Sequence, residues 1–359
     1  MITISAELLK RQIAEVFRAW GMPEEHIATT VALMVEADLR GIDSHGIGML
    51  PQYDLYRKEG KLNVRPEIRV LREGPTFLLI DADHSLGHVP AQQAMQAAVA
   101  KCAACGVGFA SVRNSNHFGA AGVYSTMALE RGFIGLCVTG TTQRSVVPTF
   151  AREPMFSTNP LALAAPAARN EPFSLDMATS TVAVGKLQIA RRAGKRIPVG
   201  WAVNAEGRPE IDPAAAVAAV PKRLTPLGGT RDLGSHKGYG LAMMVEILGS
   251  ILSGSFVGGR DLRTGQPGQY INVGHFFLAI DPAFFRGEPA AFTADMDRLI
   301  DYLHDTPPAD PDQPVLVAGD PEHAARVERL RSGIPMTETL FEEVRQVARG
   351  CNAPFLLEK

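Results

Sequence analysis

Three stretches of this 359-residue chain gather side chains able to move a proton or seat an anion. In the first, Asn114-Ser-Asn-His117 follows Gly106–Val112, which reads as a short buried strand. It precedes Ala120–Leu129, whose Ala-rich composition and Tyr124/Ala128 and Val123/Met127 spacings predict a helix packed on a sheet. Ligands of open α/β sheets bind at such turns, because the loops leave a crevice and the helix start offers free N–H groups. His117 there is either a proton carrier or an imidazole that only satisfies backbone groups, and residue types leave both open. The second stretch holds Asp176, an acid at the end of the apolar run Phe173-Ser-Leu-Asp-Met-Ala-Thr-Ser180. Burying it without a partner is costly, so it is a hydrogen-bonded structural group or half of a catalytic pair. The third is Gly234-Ser-His-Lys-Gly-Tyr-Gly240, at the mouth of the apolar helix predicted over Leu241–Leu252. Its glycines suit close approach of a ligand's phosphates, or simply a flexible loop ahead of a core helix.

Other chemistries are argued against by spacing. There is no Gly-x-Gly-x-x-Gly after a strand, no His-Glu-x-x-His and no Gly-x-Ser-x-Gly; Gly106-Val-Gly108 opens a strand instead. His84 and His88 are four apart, but Gly87 and Pro90 oppose a regular helix across them, so no metal is expected. Cys102-Ala-Ala-Cys105 closes a predicted helix rather than opening one, where a thiolate would be stabilised, and reads as packing. A Ser44–His45 hydrolase is weak because adjacent residues rarely place hydroxyl and imidazole in hydrogen-bond geometry.

The elements that must position these residues form an α/β protein. Ser5–Trp20, Pro23 to about Arg40 and the stretch to Glu59 predict helices, so the chain through about Leu71 reads as all-helical. From Thr76 strands alternate with helices, and a further strand is predicted at Phe276–Ile280, with mainly helix from Phe292 and a strand-like Val315–Ala318. Two domains follow: a helical one from 1–72, 226–260 and 292–359, and an α/β one from 73–225 and 261–291 that holds cofactor and substrate. The predicted 241–252 helix is apolar on most faces and is expected to be buried, within the chain or at a subunit interface. Net charge −2 gives no reason to expect nucleic acid or an anionic membrane, and no apolar run approaches the ~18 residues of a span. With no basic start followed by an apolar stretch, and four cysteines that make no disulfide framework, the expected location is the cytoplasm.

Four stretches in order, Asp43-Ser-His-Gly46, Asn116-His-Phe-Gly119, Thr158-Asn-Pro160 with Asp176-Met-Ala-Thr-Ser180, and His236-Lys-Gly-Tyr-Gly-Leu241, carry a resemblance that runs from about Ile4 to Asn352. Together they resemble the type 2 malate/L-lactate dehydrogenases, a family that includes ureidoglycolate and sulfolactate dehydrogenases, 2,3-diketogulonate reductase and Δ1-piperideine/pyrroline-2-carboxylate reductases. The resemblance implies a non-Rossmann NAD(P)-binding α/β fold, a homodimer, and hydride transfer between NAD or NADP and C2 of a 2-oxo or 2-hydroxy acid. The alternatives are reduction of a cyclic imine carboxylate and a catalytically silent dinucleotide-binding relative. By the same resemblance His45 is the acid/base group with Asp176 orienting it, while His117 matches the proton acceptor of the ureidoglycolate branch. Ser44, Thr158 and Asn159 would line the substrate pocket. Thr141, Asp176, Met177, Ala178, Lys237, Gly238, Gly319, Asp320 and Pro321 fall where the family contacts its dinucleotide. Departures are Met49 where many members carry an Arg, Ser157 for a common Gly, and Asp320 for the usual Glu. Arg144, Arg113 and Arg57 are the candidates to replace the missing guanidinium.

Overall fold

Strand residues here alternate faces, and each face finds a different helical layer. The computed structural model describes residues 2–358. In chain order its elements are β1 (Ile2–Ile4), α1 (Ala6–Ala19), α2 (Glu24–Leu39), α3 (Leu50–Lys58), β2 (Arg69–Glu73), β3 (Phe77–Asp81), α4 (His88–Cys105) and β4 (Val107–Ser115). Next come α5 (Gly122–Ser125), β5 (Ile134–Thr139), β6 (Leu161–Ala165), β7 (Phe173–Met177), α6 (Val184–Arg192), β8 (Ala202–Val203), β9 (Pro209–Glu210) and α7 (Pro213–Ala218). The chain closes with α8 (Ser235–Val245), β10 (Val273–Ile280), α9 (Ala283–Arg286), α10 (Pro289–His304), α11 (Asp320–Ser332), β11 (Ile334–Met336) and α12 (Glu338–Gly350).

Seven strands make one sheet in the order β2-β3-β4-β10-β5-β6-β7, and only the β3/β4 pair is parallel. The strand predicted near Phe276 is β10, inserted between β4 and β5. Its Phe277 and Ala279 face the layer of α4 and α5, with Met95, Ala98, Phe118 and Tyr124. Phe276 and Leu278 face the other way, against Val245 and Leu248. Gly106 takes a left-handed φ of 78° to end α4 and turn into β4. A Cβ on Gly108 would lie 1.9 Å from the Ala98 carbonyl, so the helix sits directly on the strand.

A second core joins the two parts of the chain furthest apart in sequence. β1 pairs with β11, and Leu9, Ile13, Phe17, Met34 and Tyr53 pack with Val344 and Val347 of α12. Buried Gln12 clasps the tail, donating to the Pro354 carbonyl (3.1 Å) and accepting from the Leu356 N–H (2.6 Å). A small third core, with Val146, Leu187, Ile197 and Leu224, lies under α6 and α7.

Several expectations are corrected. Strand β1 lies inside the stretch that reads as all-helical, and β2 crosses its end. Val315–Ala318 is irregular, and the predicted 120–129 helix is one α-turn followed by 3₁₀ structure over Thr126–Arg131. The loop expected at 234–240 is already helical from Ser235, and the helix runs on as a π-turn over Glu246–Ile251. That helix is not buried within the chain: Met243, Ile247, Ile251 and Leu252 are about half exposed. Among the described residues no helix is long and apolar enough to cross a membrane.

Candidate active site

Register alone gathers the chemistry at one end of the sheet. Val273 of β10 faces Ser115, the last residue of β4, and His275 faces Thr139, the last of β5. Leu161, the first residue of β6, faces both Val138 and Met177. The loops bearing His117, Thr141, Thr158 and Ala178 therefore leave the sheet side by side.

His117 is fixed by two donors. Its Nδ1 is 2.7 Å from the Tyr53 hydroxyl and accepts the Gly119 N–H at 3.3 Å. A backbone N–H only donates, so Nδ1 is unprotonated, Tyr53 donates too, and neutral His117 carries its proton on Nε2. The His45 ring stacks on it, with centroids 5.4 Å apart and planes 27° off parallel. His88 and His275, both fully buried, stand behind. Burial pushes the pKa of each of these two down to about 3. His117 is held well below the ordinary range by burial and by the charges that His45, His88 and His275 would carry. His45 is lowered by burial alone. Clustered imidazoles cannot all be cations, so His45 is the one that takes a proton most readily.

Asp176 does not meet His45. Its carboxylate accepts the Gly122 N–H at 2.7 Å, and burial, opposed by that bond, raises its pKa to about 6. The free N–H at the start of α5 claims this carboxylate. His45 Nδ1 lies instead 2.7 Å from the Ser44 hydroxyl, so the neighbour geometry expected to be rare is made. The loop that allows this rests on Asp38, which is 2% exposed. Asp38 accepts the Ile47 N–H at 2.9 Å, and burial raises its pKa to about 7.

The remaining expected residues divide sharply. The Asn159 amide is committed to the fold, accepting from Ser157 N–H (2.9 Å) and donating to buried Glu246 (2.7 Å). The Thr158 carbonyl accepts the Thr179 N–H at 2.7 Å. Thr141 lines a cavity of about 160 Å³ with Tyr56, Lys61 and Tyr270. Arg144 is half-buried, and burial with nearby Arg260 pulls its pKa down. A larger cleft of about 470 Å³ runs beside β7, walled by Arg40, Glu130, Ser174, Gly319 and Glu322. Met177 and Ala178 follow Ser174 and Asp176 on the same edge. Asp320 caps its own turn through the Val317 N–H (2.7 Å) and meets His304 at 2.8 Å, while Pro321 is exposed. Lys237 is exposed on the first turn of α8, away from that cleft. Gly238 lies where a Cβ would strike the Leu227 backbone at 2.4 Å.

Tyr53, Asp38 and Glu246 were not singled out by sequence reasoning. Asp38 and Glu246 carry the signal that exposed Asp176: an acid inside an apolar run, Leu33–Leu39 and Met243–Leu248. Tyr53 carries no such signal, because a buried aromatic on a helix face reads as core. Among the described residues no group of three metal-ligating side chains is found.

The profile of the malate/L-lactate dehydrogenase family matches residues 4–345. A malate dehydrogenase of Pyrococcus horikoshii is 39% identical over 349 residues, 97% of this chain and 95% of that one. An L-sulfolactate dehydrogenase of Methanocaldococcus jannaschii is 36% identical over 343 residues, 96% of this chain and 94% of its own length. The crystal structure of a malate dehydrogenase from Entamoeba histolytica superposes with a TM-score of 0.91 at 32% identity, covering 99% of each chain. The chain belongs to the malate/L-lactate dehydrogenase family and is an oxidoreductase of the 2-hydroxy acid class.

Proposed function

We propose that this protein interconverts a small anionic 2-oxo acid and its 2-hydroxy acid with NAD or NADP, His45 being the acid/base group. The observation that carries the reading is the stacked His45/His117 pair at the sheet end, whose two rings differ in readiness to hold a proton. In the reducing direction, imidazolium His45 gives its proton to the substrate oxygen at C2, and in the oxidising direction neutral His45 removes it. His117 stays neutral and offers its Nε2–H to the same substrate, held in that tautomer by Tyr53 and Gly119. The Ser44 hydroxyl, not Asp176, orients His45.

A dinucleotide fits the cleft beside β7. Gly319, with φ of 110°, starts α11 there, and a Cβ on it would close to 3.1 Å from the Pro172 carbonyl. A bare backbone and a helix N-terminus facing a cleft of that size suit a phosphate-bearing ligand. Ser174 to Ala178 and Gly319 would hold it on that wall, while Thr141, Lys237 and Gly238 lie outside its lining. The bound nicotinamide supplies or accepts the hydride.

Arg144 is the best cation for the substrate's carboxylate. Arg57 is bound to Asp54 at 2.8 Å and lies over Trp20, and Arg113 faces Asp81 at 3.5 Å. Arg144 has no carboxylate within ion-pair distance among the described residues. The half-exposed apolar side of α8 and the π-turn after it, with Met243, Ile247, Ile251 and Leu252, supports a homodimer through this face. Four free cysteines and a small polar substrate fit the cytoplasm.

The test is a panel of 2-oxo acids and cyclic imine carboxylates, followed by NADH and NADPH absorbance, with calorimetry of each dinucleotide. A dinucleotide that binds and a 2-oxo acid that turns over are expected. Binding without turnover of any 2-oxo acid would sink the reading, and turnover only of cyclic imines would move the protein to that alternative.

A further inference from the structure

We propose that Arg329 is a positioning residue for His45, tying the wall of the dinucleotide cleft to the acid/base loop; this rests on His45 having the role given above. Helix α11 begins at the cleft, where Ser174 donates its N–H to the Ala318 carbonyl at 2.8 Å and Gly319 packs against Ser174. Along its length Arg326 bonds Glu36 of α2 at 2.9 Å, and Glu36 also holds Arg40 at 2.8 Å. Near its end Arg329 reaches the loop that carries His45.

Arg329 makes three contacts there. One Nη donates to the Asp38 main-chain carbonyl at 2.5 Å and to one carboxylate oxygen of Asp43, and the other Nη meets the second oxygen at 3.2 Å. The arginine side chain is only 15% exposed. A planar fork bridging a carbonyl and both oxygens of a carboxylate fixes orientation as well as distance, which an ammonium does not. Two residues on, the loop is held again. His45 N–H bonds the Ile42 carbonyl at 2.9 Å, and Asp38 accepts the Ile47 N–H. Gly46 is pressed so closely on Asp38 that a Cβ would fall 2.0 Å from its carboxyl group. Asp43 and Gly46 are thus the two anchors of the motif, and Ser44 and His45 are the side chains left to act.

The experiment compares Arg329→Lys, Arg329→Met, Asp43→Asn and the double variant Arg329→Met/Asp43→Asn in full-length protein. The readouts are kcat, KM, NADH affinity by fluorescence and melting temperature. Arg329→Met and Asp43→Asn should each lower kcat by roughly ten- to a hundredfold, as misplacement of a reacting group does, with NADH affinity within about twofold. The double variant should be no worse than the lower single. Arg329→Lys should keep the melting temperature but not kcat, and added guanidinium should restore part of the kcat of Arg329→Met. Singles that keep kcat within about twofold, or losses that multiply in the double, would overturn the proposal. Should Arg329→Met fail to fold, Arg329→Lys and Asp43→Asn decide alone. If His45→Asn keeps turnover, the acid/base assignment fails instead, and non-additivity between positions 43 and 329 still reports the anchor.

Discussion

The loops that carry His45 and His117 are built alike and held differently. Each rests on a carboxylate, buried Asp38 or half-buried Asp176, that takes a backbone N–H downstream of its histidine: Asp38 with Ile47 under the first, Asp176 with Gly122 under the second. Neither acid touches an imidazole through those bonds. The rings part company in their own partners, since His117 takes two donors on Nδ1 whereas His45 has one rotatable hydroxyl. Two locked bonds make a fixed donor of one histidine, and a single adjustable bond leaves the other free to gain and lose a proton.

The sharpest way to break this contrast is to remove each ring. His45→Asn should cut kcat by about 10²–10⁴ in steady-state assays while NADH titration is little changed. His117→Asn should act mainly on KM, and a larger kcat loss there than at His45 reverses the assignment. Next in size is Tyr53→Phe, which takes one of the two donors from His117 Nδ1. It should raise the substrate KM by about tenfold, the cost of a lost hydrogen bond in a buried site. Arg144→Leu should raise KM for 2-oxo acids by a similar factor, and an unchanged KM would remove it as the anionic grip.

Proton linkage sharpens the comparison further. His45 has its pKa lowered below 6.5, so reductive kcat/KM should fall as pH rises through an apparent value under 6.5, and oxidative kcat/KM should rise there. Asp38 goes the other way, from 3.8 to about 7. Its raised pKa stabilises the fold fully below pH 3.8 and progressively less up to about pH 7. Asp38→Asn keeps an acceptor for Ile47 and removes the titration. The difference in melting temperature between wild type and Asp38→Asn should therefore drift between those limits and level off above them. A flat difference would mean that folding leaves the Asp38 pKa unshifted. The smallest effect belongs to Ser44→Ala, a few-fold in kcat.

Much of this site was legible in the sequence, and what was not has a physical reason. His117 at the sheet end follows from motif and alternation, because local patterns specify local elements, whereas His45 enters through the family resemblance. The Asp176–His45 pair did not follow, because a carboxylate at a strand end has several possible donors and only tertiary placement shows that Gly122 N–H is the near one. Asn159 had the look of a substrate ligand, yet both ends of its amide are spent on Ser157 and Glu246. Where the apolar helix from Leu241 to Leu252 finds its cover was not legible, because an all-apolar surface looks the same whether its neighbour lies in the same chain or another. Arg329 was invisible because it lies 286 residues from Asp43.

That separation has a meaning for how the protein is made. The β1–β11 pair, the Gln12 clasp on Pro354 and Leu356, and the Arg329–Asp43 bond all join elements early in chain order to elements late in it. The acid/base loop is synthesised well before its anchor, which lies 286 residues further along the chain. Until that length has been made, α1 to α3 lack α12 as packing partner and are exposed to quality control. The acid/base loop is completed only once α11 and α12 have folded back onto α1 to α3.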